Sequence, residues 1–254
     1  MQEFKALANR LADEAGEIIR KFYRRPFDIE AKEDETPVTI ADRMVEKCLR
    51  EIIEKERPKD GISGEEFGSK ESMSGLVWVL DPIDGTKPFI IGRPTFGTLI
   101  ALCEDETPVL GIIDQPILKE RWIGLVEEPT TFNNVPCKTR SCPSLKKAIC
   151  ASTSPGMFFD NIQPDFIKKW SDSSNFMVWG GDCYSYGLLA NGTIDIIIEA
   201  DMQPYDFAAL SPIVEGAGGK MCDWSGSPLS LSSDGRIVAL GDADLWGEVK
   251  DLLG

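Results

Sequence analysis

The sequence predicts a mixed α/β fold in which layers of helices and sheets pack together. Near the N-terminus, apolar residues recur every three or four positions, which is typical of a long amphipathic helix that ends near Arg25-Pro26. In residues 98–127, three apolar runs separated by short polar turns instead indicate an antiparallel meander. A chain of 254 residues with 42% apolar composition is long enough to bury the core of such a fold.

The residues after the first helix predict a strand, a loop and a second helix. Residues 28–32 fit a short strand, and the charged residues 33–37 fit a mobile loop. A second amphipathic helix begins at Ile40 and places its apolar residues on one face. Its start, Thr39-x-x-Asp42, matches a capping box, in which both side chains accept hydrogen bonds from backbone N–H groups.

The middle of the chain predicts strands on both sides of one irregular segment. Residues 76–80 form a β-rich apolar run, and Pro82, which has no N–H and a fixed φ, is expected to end its ladder pairing. Residues 87–94 contain two prolines and a glycine, which indicates irregular structure. The three strands of the meander are predicted at 98–103, 109–114 and 121–126.

The second half of the chain predicts a similar mixture of elements. Glycines follow two of its periodic segments and are expected to end the corresponding helices. The predicted elements are a strand at 147–151, a helix near 164–170, a helix at 182–191 followed by Gly192, a buried strand at 194–199, and a helix at 206–215 followed by Gly216 and Gly218.

Composition and charge narrow the possible functions. The 42 acidic and 27 basic residues give a formal charge of -15, which argues against nucleic-acid binding and favours metal cations. The chain contains no histidine, which excludes Ser-His catalysis, a phosphohistidine intermediate and His-ligated zinc. A site built from carboxylate, carbonyl and water oxygens remains, and such ligands suit Mg²⁺, Mn²⁺ or Ca²⁺.

The cysteines and the N-terminus bear on the compartment. The seven cysteines are odd in number and never spaced as CxxC, so neither a disulfide framework nor a zinc site is indicated. The N-terminus lacks the apolar core of a signal peptide, and no apolar run approaches the ~20 residues that span a membrane. We therefore expect a cytoplasmic protein that does not bind membranes.

The most informative motif follows the apolar run at 76–80, which stops at Asp81 and Asp84. Residues three apart on a continuous strand point to opposite faces, so the two carboxylates can share a ligand only if the chain bends between them. Pro82 supplies a bend, Gly85 allows backbone to approach an anion, and Thr86 adds a hydroxyl. An ordinary Asx-type turn is the alternative interpretation.

Three further acidic segments accompany this motif, namely Gly64-Glu65-Glu66, Pro204-Tyr205-Asp206 and Thr39-Ile40-Ala41-Asp42. Together the set resembles the inositol monophosphatase family of Mg²⁺-dependent, lithium-sensitive phosphomonoesterases. The family's first signature is similar to residues 78–86 and its second to residues 204–219. The resemblance runs from the first helix to the last. It implies that residues 1–254 form one domain with the αβαβα sugar-phosphatase sandwich. The domain would have two halves, at about 1–145 and 146–254, with the active site between them. The resemblance also implies a homodimer.

The resemblance also implies roles for individual residues. Two or three Mg²⁺ ions per site are expected, with Mn²⁺ as a possible substitute. A metal-activated water would then attack the phosphate directly and in line, without a phosphoenzyme. The implied first-metal ligands are Glu65, Asp81 and the Ile83 carbonyl; the second-metal ligands are Asp81, Asp84 and Asp206; Gly85 and Thr86 bind phosphate; and Asp42, Thr86 and Glu65 are catalytic, with Asp42 and the Thr86 hydroxyl orienting the water.

Several alternatives stay open from the residues alone. Asp42 and Asp206 fit simple helix caps, and Glu65 fits a solvated surface carboxylate. An aspartyl-phosphate mechanism of the haloacid dehalogenase type uses a similar motif, but its two aspartates are two residues apart, whereas Asp81 and Asp84 are three apart. A non-catalytic protein that senses a metal or a phosphorylated metabolite is an alternative from another class.

The substrate prediction rests on shorter segments. Residues 87–90, 96–102 and 179–186 look most like the histidinol-phosphate phosphatase branch, which implies a role in histidine biosynthesis. Because histidinol phosphate carries an ammonium group, its pocket should offer a carboxylate that the metals do not use. Asp182 is the first candidate and Glu199 the second, although Asp182 also fits a helix cap. Inositol-1-phosphate and a broad range of phosphate esters are the alternative substrates.

Overall fold

The computed structural model describes residues 1–25, 29–31, 37–158 and 165–253. Its helices are α1 (Gln2–Phe22), α2 (Ile40–Glu56), α3 (Thr86–Ile90), α4 (Phe166–Ser173), α5 (Asp182–Ala190), α6 (Pro204–Phe207), α7 (Leu210–Gly216) and α8 (Trp246–Leu253). Its strands are β1 (Ile29–Ala31), β2 (Pro37–Thr39), β3 (Gly61–Gly64), β4 (Gly68–Lys70), β5 (Leu76–Asp84), β6 (Gly97–Glu104), β7 (Thr107–Gln115), β8 (Glu120–Leu125), β9 (Glu128–Phe132), β10 (Val135–Pro136), β11 (Ile149–Ser152), β12 (Phe176–Trp179), β13 (Ile196–Glu199), β14 (Lys220–Asp223) and β15 (Ile237–Leu240).

The strands form two large sheets and one small antiparallel pair, β1-β2. The eight-stranded sheet has the order β10-β9-β8-β7-β6-β5-β3-β4, and β3 runs parallel to β5 while the other neighbours are antiparallel. The five-stranded sheet has the order β12-β11-β13-β15-β14, with β11 parallel to both of its neighbours. Both large sheets are therefore mixed.

The outer face of the eight-stranded sheet is covered by α1 and α2. Leu11 of α1 and Leu49 of α2 share one hydrophobic core with Trp78 and Leu80 of β5. Val79 lies between these two strand residues and belongs to the core on the opposite face. The alternation follows from the two-residue period of a strand, which buries β5 on both faces.

The middle layer of helices lies between the two sheets. Val79 packs there with Tyr186 of α5, Phe207 of α6, Ile213 of α7 and Ile197 of β13. A third core, on the far face of the five-stranded sheet, contains residues of α4 and α8. The layers therefore run helix, sheet, helix, sheet, helix, which confirms the predicted αβαβα sandwich.

Strand β5 differs from its prediction, because it continues past Pro82 to Asp84. Asp81 pairs with Leu99 of β6 and Asp84 with Gly97, so two residues of β5 lie opposite the single residue Thr98. This arrangement is a β-bulge, and a bulge is one of the few places where a strand tolerates the missing N–H of proline. The expectation that Pro82 ends the ladder pairing is wrong.

Two helix predictions also need correction. Residues 87–94 were expected to be irregular, but the first four of them belong to the short helix α3, in which Pro88 occupies the first turn, where its N–H would have no partner. The single helix predicted at 206–215 is divided into α6 and α7. Pro212 explains the break, because it has no N–H to donate to the carbonyl of Ala208 one turn earlier.

The other predicted elements agree with the structure within a few residues. The first helix ends at Phe22, slightly before the predicted end. The predicted strand at 28–32 is observed at Ile29–Ala31, while residues 28 and 32–36 lie outside the described residues and Pro37 begins β2. The helix predicted near 164–170 is observed from Phe166. The division near residue 145 stays a prediction, and the two large sheets lie on either side of that point.

Within the described ranges, no helix combines the length and the apolar character that a membrane crossing requires. All seven cysteines are free.

Two facing glycines allow α7 to approach the eight-stranded sheet. Gly111 of β7 pairs in register with Gly124 of β8. A Cβ on Gly111 would lie 1.9 Å from the carbonyl oxygen of Ala209, and a Cβ on Gly124 would lie 2.4 Å from the backbone of Pro212. Both distances are too short for any side chain, so the position of α7 requires glycine at both sites.

We expect Gly111→Ala to lower the free energy of unfolding by about 1–3 kcal/mol, because the added methyl group must displace the backbone of the middle layer. Urea denaturation measures this change. Gly247→Ala is the control, because a Cβ there meets no atom within 4 Å, and it should cause no loss of stability. Equal stabilities of the two variants would contradict the proposed contact.

Candidate active site

Three aspartates converge where β5 ends near α6. One carboxylate oxygen from each of Asp81, Asp84 and Asp206 lies within 4.8 Å of the others. Asp81 is 2% exposed, whereas Asp84 and Asp206 are half-buried. Residues that are far apart in sequence therefore form one cluster of oxygen ligands.

The β5 bulge explains how Asp81 and Asp84 come to share this cluster. Without the extra residue, aspartates three positions apart would face opposite sides of the sheet. The Asp81 carboxylate accepts a hydrogen bond from the backbone N–H of Ile83 at 3.1 Å, which fixes its orientation within the bulge. The bend predicted from Pro82 is therefore present, although it lies inside the strand.

Asp84 and Asp206 are held by backbone N–H groups at helix starts. Asp84 Oδ2 accepts from the N–H of Cys183 at 2.5 Å, in the first turn of α5. Asp206 Oδ2 accepts from the N–H of Gln203 at 2.7 Å, as part of a capping box at the start of α6. Asp206 is thus both a helix-capping residue and a member of the cluster, so the two interpretations from the sequence are compatible.

The pKa values of the cluster reflect mutual repulsion. Burial raises the pKa of Asp81 well above its usual value, and the negative charges of Glu65, Asp84 and Asp206 raise it further. Burial also raises the pKa of Asp84, with added contributions from Asp182 and Asp206, although the hydrogen bond from Cys183 opposes the shift. A divalent cation among these carboxylates would relieve the repulsion, and their oxygen atoms fit Mg²⁺, Mn²⁺ or Ca²⁺.

Glu65 lies beside Asp81, directly after β3. It is half-buried, and its charge acts on both Asp81 and Asp42. The carbonyl of Ile83, predicted as a metal ligand, accepts from the Thr86 hydroxyl at 3.3 Å. The residues predicted for the first metal are therefore neighbours in the structure.

Asp42 is only 1% exposed and occupies the first turn of α2. Its Oδ2 accepts from the N–H and the hydroxyl of Thr39, at 2.9 and 2.5 Å, which confirms the capping box. Its Oδ1 is buried without a hydrogen-bond partner among the described residues. The Thr86 hydroxyl donates to the Ile83 carbonyl, and no hydrogen bond joins it to Asp42 Oδ1 within the described part of the chain.

Gly85 brings the predicted phosphate-binding motif against α5. Its φ of +81° is in the left-handed region that favours glycine. A Cβ on Gly85 would lie 3.0 Å from the carboxylate carbon of Asp182 and 3.2 Å from Cα of Phe96. The backbone of the motif and the side chain of Asp182 are therefore in contact.

A cavity of about 110 Å³ opens beside the cluster. Its lining includes Asp84, Asp206, Asp182, Glu199, Tyr186 and Thr153. Larger cavities of about 340 and 680 Å³ have other linings and contain none of the predicted site residues. We regard the smaller cavity as the candidate substrate site, because it alone among these three combines the aspartate cluster with Asp182 and Glu199.

Glu199 lies at the end of β13 and is 3% exposed. It accepts hydrogen bonds from the N–H and hydroxyl of Thr153, at 2.8 and 2.5 Å, and from the Tyr186 hydroxyl at 2.9 Å. Burial raises the pKa of Glu199 to about 7, although these hydrogen bonds oppose the shift. The hydrogen bonds hold the carboxylate in one orientation at the cavity wall.

Asp182 does not cap α5, because Gly181 is the N-cap residue and no side chain makes a capping bond there. Burial raises the pKa of Asp182 to about 6, while a backbone hydrogen bond at Gly181 and the nearby cations Lys87 and Arg93 limit the shift. Asp182 also has a φ of +45°, an unusual backbone conformation for this residue type. The helix-cap alternative is therefore not supported, and the side chain is available to the cavity.

Sequence reasoning missed three residues of the site. Cys183 supplies the N–H that holds Asp84, and Tyr186 and Thr153 hold Glu199. Cys183 and Tyr186 lie in the segment 179–186, one of the segments on which the substrate prediction rests. Thr153 carries no sequence signal of this kind, because its role depends on the pairing of β11 with β13.

The raised pKa values predict how stability depends on pH. A carboxyl group with a higher pKa in the folded state binds more protons than in the unfolded chain, so the free energy of unfolding falls as pH rises through that interval. For Asp182 and Glu199 the interval runs from their ordinary values of 3.8 and 4.5 to about 6 and about 7. No histidine titrates in the same interval, because the chain contains none.

We therefore expect the metal-free protein to lose thermal stability between about pH 4 and about pH 7, and added Mg²⁺ to offset the loss, since it binds only the folded site. Thermal unfolding in EDTA and in excess Mg²⁺, across this pH range, measures both effects. A metal-free protein that becomes more stable as pH rises would contradict the account.

Comparison with known proteins places these features in a family. A profile of the inositol monophosphatase family matches residues 1–251. A chloroplastic bifunctional phosphatase of Arabidopsis thaliana is 47% identical over 262 residues, covering 100% of this chain and 75% of that protein. A histidinol-phosphatase of Chlorobaculum parvum is 33% identical, covering 92% and 90%, and one of Mycobacterium tuberculosis is 36% identical, covering 87% of each.

Solved structures agree with this assignment. The structure of an inositol monophosphatase from Zymomonas mobilis has a TM-score of 0.91 and 49% sequence identity, and it covers 99% of this chain and 98% of that one. The chain described here belongs to the inositol monophosphatase family and is a phosphoric monoester hydrolase.

Proposed function

We propose that this enzyme is a Mg²⁺-dependent phosphatase that converts L-histidinol phosphate to L-histidinol and phosphate, a step of histidine biosynthesis. The observation that carries the proposal is one small cavity lined by two kinds of carboxylate. Asp84 and Asp206 belong to the metal-type cluster, whereas Asp182 and Glu199 lie outside it. Metal ions held by the first pair would bind the phosphate end of the substrate, and the second pair would bind a cationic end directly.

In this proposal, Glu65, Asp81 and the Ile83 carbonyl hold one Mg²⁺, while Asp81, Asp84 and Asp206 hold another. When bound, the ions would neutralise the phosphoryl oxygens and lower the pKa of the attacking water. The chain contributes orientation, because three of the aspartates each have one oxygen fixed by a backbone N–H group. Mn²⁺ would be an acceptable substitute, since it takes the same ligand types.

The remaining catalytic residues position the water and the phosphate. Asp42 supports this role, because its Oδ1 is buried beside Glu65 with no hydrogen-bond partner among the described residues. A water molecule at that point would satisfy it. We propose that the Thr86 hydroxyl turns from Ile83 toward this water when substrate binds, and that the N–H groups of Gly85 and Thr86 bind a phosphoryl oxygen.

Direct attack by water is favoured over an aspartyl-phosphate intermediate. Asp81, the first aspartate of the motif, is buried, and one of its oxygens accepts a hydrogen bond from the Ile83 N–H. Its neighbours also repel a second anion when no metal is present. A phosphorylated Asp81, trapped during turnover and detected by mass spectrometry, would overturn this preference.

Inositol-1-phosphate is the second candidate substrate. The Zymomonas mobilis structure, 49% identical, is described as an inositol monophosphatase. The named histidinol-phosphatases share 33% and 36% identity with this chain. Two carboxylates at the cavity wall favour a cationic substrate over a neutral polyol, and this is why we place histidinol phosphate first.

We further propose that the enzyme acts in the cytoplasm as a homodimer. The seven free cysteines are compatible with a reducing compartment. Lithium should inhibit, because a small hard cation can compete with Mg²⁺ for carboxylate oxygens.

Replacement of Asp81, which is assigned to both proposed ions, tests the metal-dependent activity. We expect the parent enzyme to release phosphate from histidinol phosphate in Mg²⁺ but not in EDTA, and Asp81→Asn to lower the rate at least about 100-fold, because both ions lose a charged ligand. Asp60→Asn, which alters a buried carboxylate outside the cluster, is the control and should retain activity. If the parent hydrolyses no phosphomonoester, a non-catalytic binding protein becomes the better interpretation.

Substrate choice is tested at Asp182. Asp182→Asn should weaken binding of the cationic substrate by about 2 kcal/mol, a rise in KM on the order of 30-fold, because a charged contact is lost. The KM for glycerol phosphate, which has no cation, should change little. Asp172→Asn changes the same charge on the exposed surface and controls for the net charge of the protein. Equal changes for both substrates, or a parent that prefers inositol-1-phosphate, would remove the basis for the histidinol assignment.

A further inference from the structure

One buried carboxylate near the site has no place in the reaction described above. Glu46 is 0% exposed and lies on α2, one helical turn after Asp42. Residues four apart on a helix share one face, so Asp42 and Glu46 both point from α2 toward the β3 end of the sheet. A fully buried carboxylate is costly unless it is paired and hydrogen-bonded, so its partners indicate what it does.

The partners of Glu46 belong to the turn that carries Glu65. Glu46 Oε2 accepts from the backbone N–H of Glu66 at 2.7 Å, and Oε1 accepts from the N–H of Phe67 at 3.2 Å. Arg50, one turn further along α2, donates to Glu46 Oε1 at 2.7 Å and also to the carbonyl of Gly68. Two side chains of α2 therefore hold the turn between β3 and β4.

Gly64 allows this close approach. A Cβ at Gly64 would lie 2.0 Å from Glu46 Oε1 and 2.9 Å from the Arg50 guanidinium. Any other residue would displace the carboxylate from the turn. The glycine before Glu65 is thus explained by contact with α2.

The contacts fix Glu65 from both sides. Its own N–H donates to the carbonyl of Leu80 at 3.2 Å, next to Asp81. The following N–H, that of Glu66, is in the peptide group formed by the Glu65 carbonyl and is held by Glu46. Because both flanking peptide groups are fixed, the direction in which the Glu65 side chain leaves the backbone is also fixed.

We propose that Glu46 is a positioning residue that, with Arg50, holds Glu65 where it can share a divalent cation with Asp81. This inference rests on the proposed metal-dependent function. A purely structural role is the alternative, in which Glu46 stabilises the fold but leaves metal affinity unchanged. The distinction is whether the effect of Glu46 on metal binding passes through Glu65.

Calorimetric titration of Mn²⁺ into the purified full chain separates these alternatives. Glu46→Gln keeps the size of the side chain but removes the charge that holds two N–H groups and Arg50. We expect it to weaken Mn²⁺ binding about 10-fold, as is usual for residues that orient a metal ligand. In a protein that already carries Glu65→Gln, the same change should weaken binding less than about 2-fold, because the residue through which it acts is absent.

Asp60→Asn is the matched control. Asp60 is 1% exposed, accepts from Arg57 at 3.0 Å and from the Trp78 indole at 3.2 Å, and precedes β3 at the end opposite Glu65. It should lower the melting temperature without changing Mn²⁺ affinity. If Glu46→Gln does not fold, Arg50→Lys replaces it in the test. Lysine keeps the positive charge but cannot contact both Glu46 and the Gly68 carbonyl as the guanidinium does, so Mn²⁺ binding should be about 3-fold weaker.

Three results would overturn the proposal. The first is unchanged Mn²⁺ affinity in Glu46→Gln or, where that variant does not fold, in Arg50→Lys. The second is an equal loss of affinity with and without Glu65→Gln, and the third is an equal loss in Asp60→Asn. Phosphate release by the parent in Mg²⁺ is measured alongside. If the parent binds no Mn²⁺ and releases no phosphate, the proposed function itself is contradicted. If the parent is active but the variants bind Mn²⁺ as the parent does, only the proposed role of Glu46 is contradicted.

Discussion

Backbone N–H groups hold together a set of carboxylates that repel one another. Asp81, Asp84 and Asp206 each use one oxygen to accept such a hydrogen bond, and Asp42 does the same with Thr39. Without these donors, burial and like charge would drive the side chains apart or protonate them. The hydrogen bonds also set the orientation of each carboxylate, because fixing one oxygen leaves the other available to a cation. The order of the site therefore originates in the backbone.

The same hydrogen bonds connect the layers of the fold. Asp84 belongs to the eight-stranded sheet, yet its donor Cys183 begins a helix of the middle layer. Asp206 follows β13 of the other sheet, and its helix α6 leads into α7, which packs closely against Gly111 and Gly124. Neither sheet alone contains the complete cluster. Packing in the middle layer and ligand geometry are consequently not independent, and substitutions distant from the carboxylates can still alter the site.

Much of this arrangement could be predicted from the sequence, because its strongest signals are local. Periodicity identified the long helices and the meander, and the spacing of Asp81 and Asp84 required a bend that the structure provides. The bulge itself could not be predicted, because it is defined by the register of β5 against β6. Cys183, Thr153 and Glu46 were missed for the same reason, since each acts on a residue between 20 and 99 positions away. Sequence patterns show which face of an element is buried, whereas they do not show which partner it meets.

The two capping boxes at Thr39 and Gln203 determine when two carboxylates of the site lose their conformational freedom. Asp42 and Asp206 are immobilised by the starts of their own helices, so their conformational freedom is lost when the chain folds and not when an ion arrives. A cation would then meet Asp206, and an ordered water would meet Asp42, already in place, so binding would cost less entropy than it would with flexible carboxylates. Exchange of one cation for another would then leave both side chains where folding placed them.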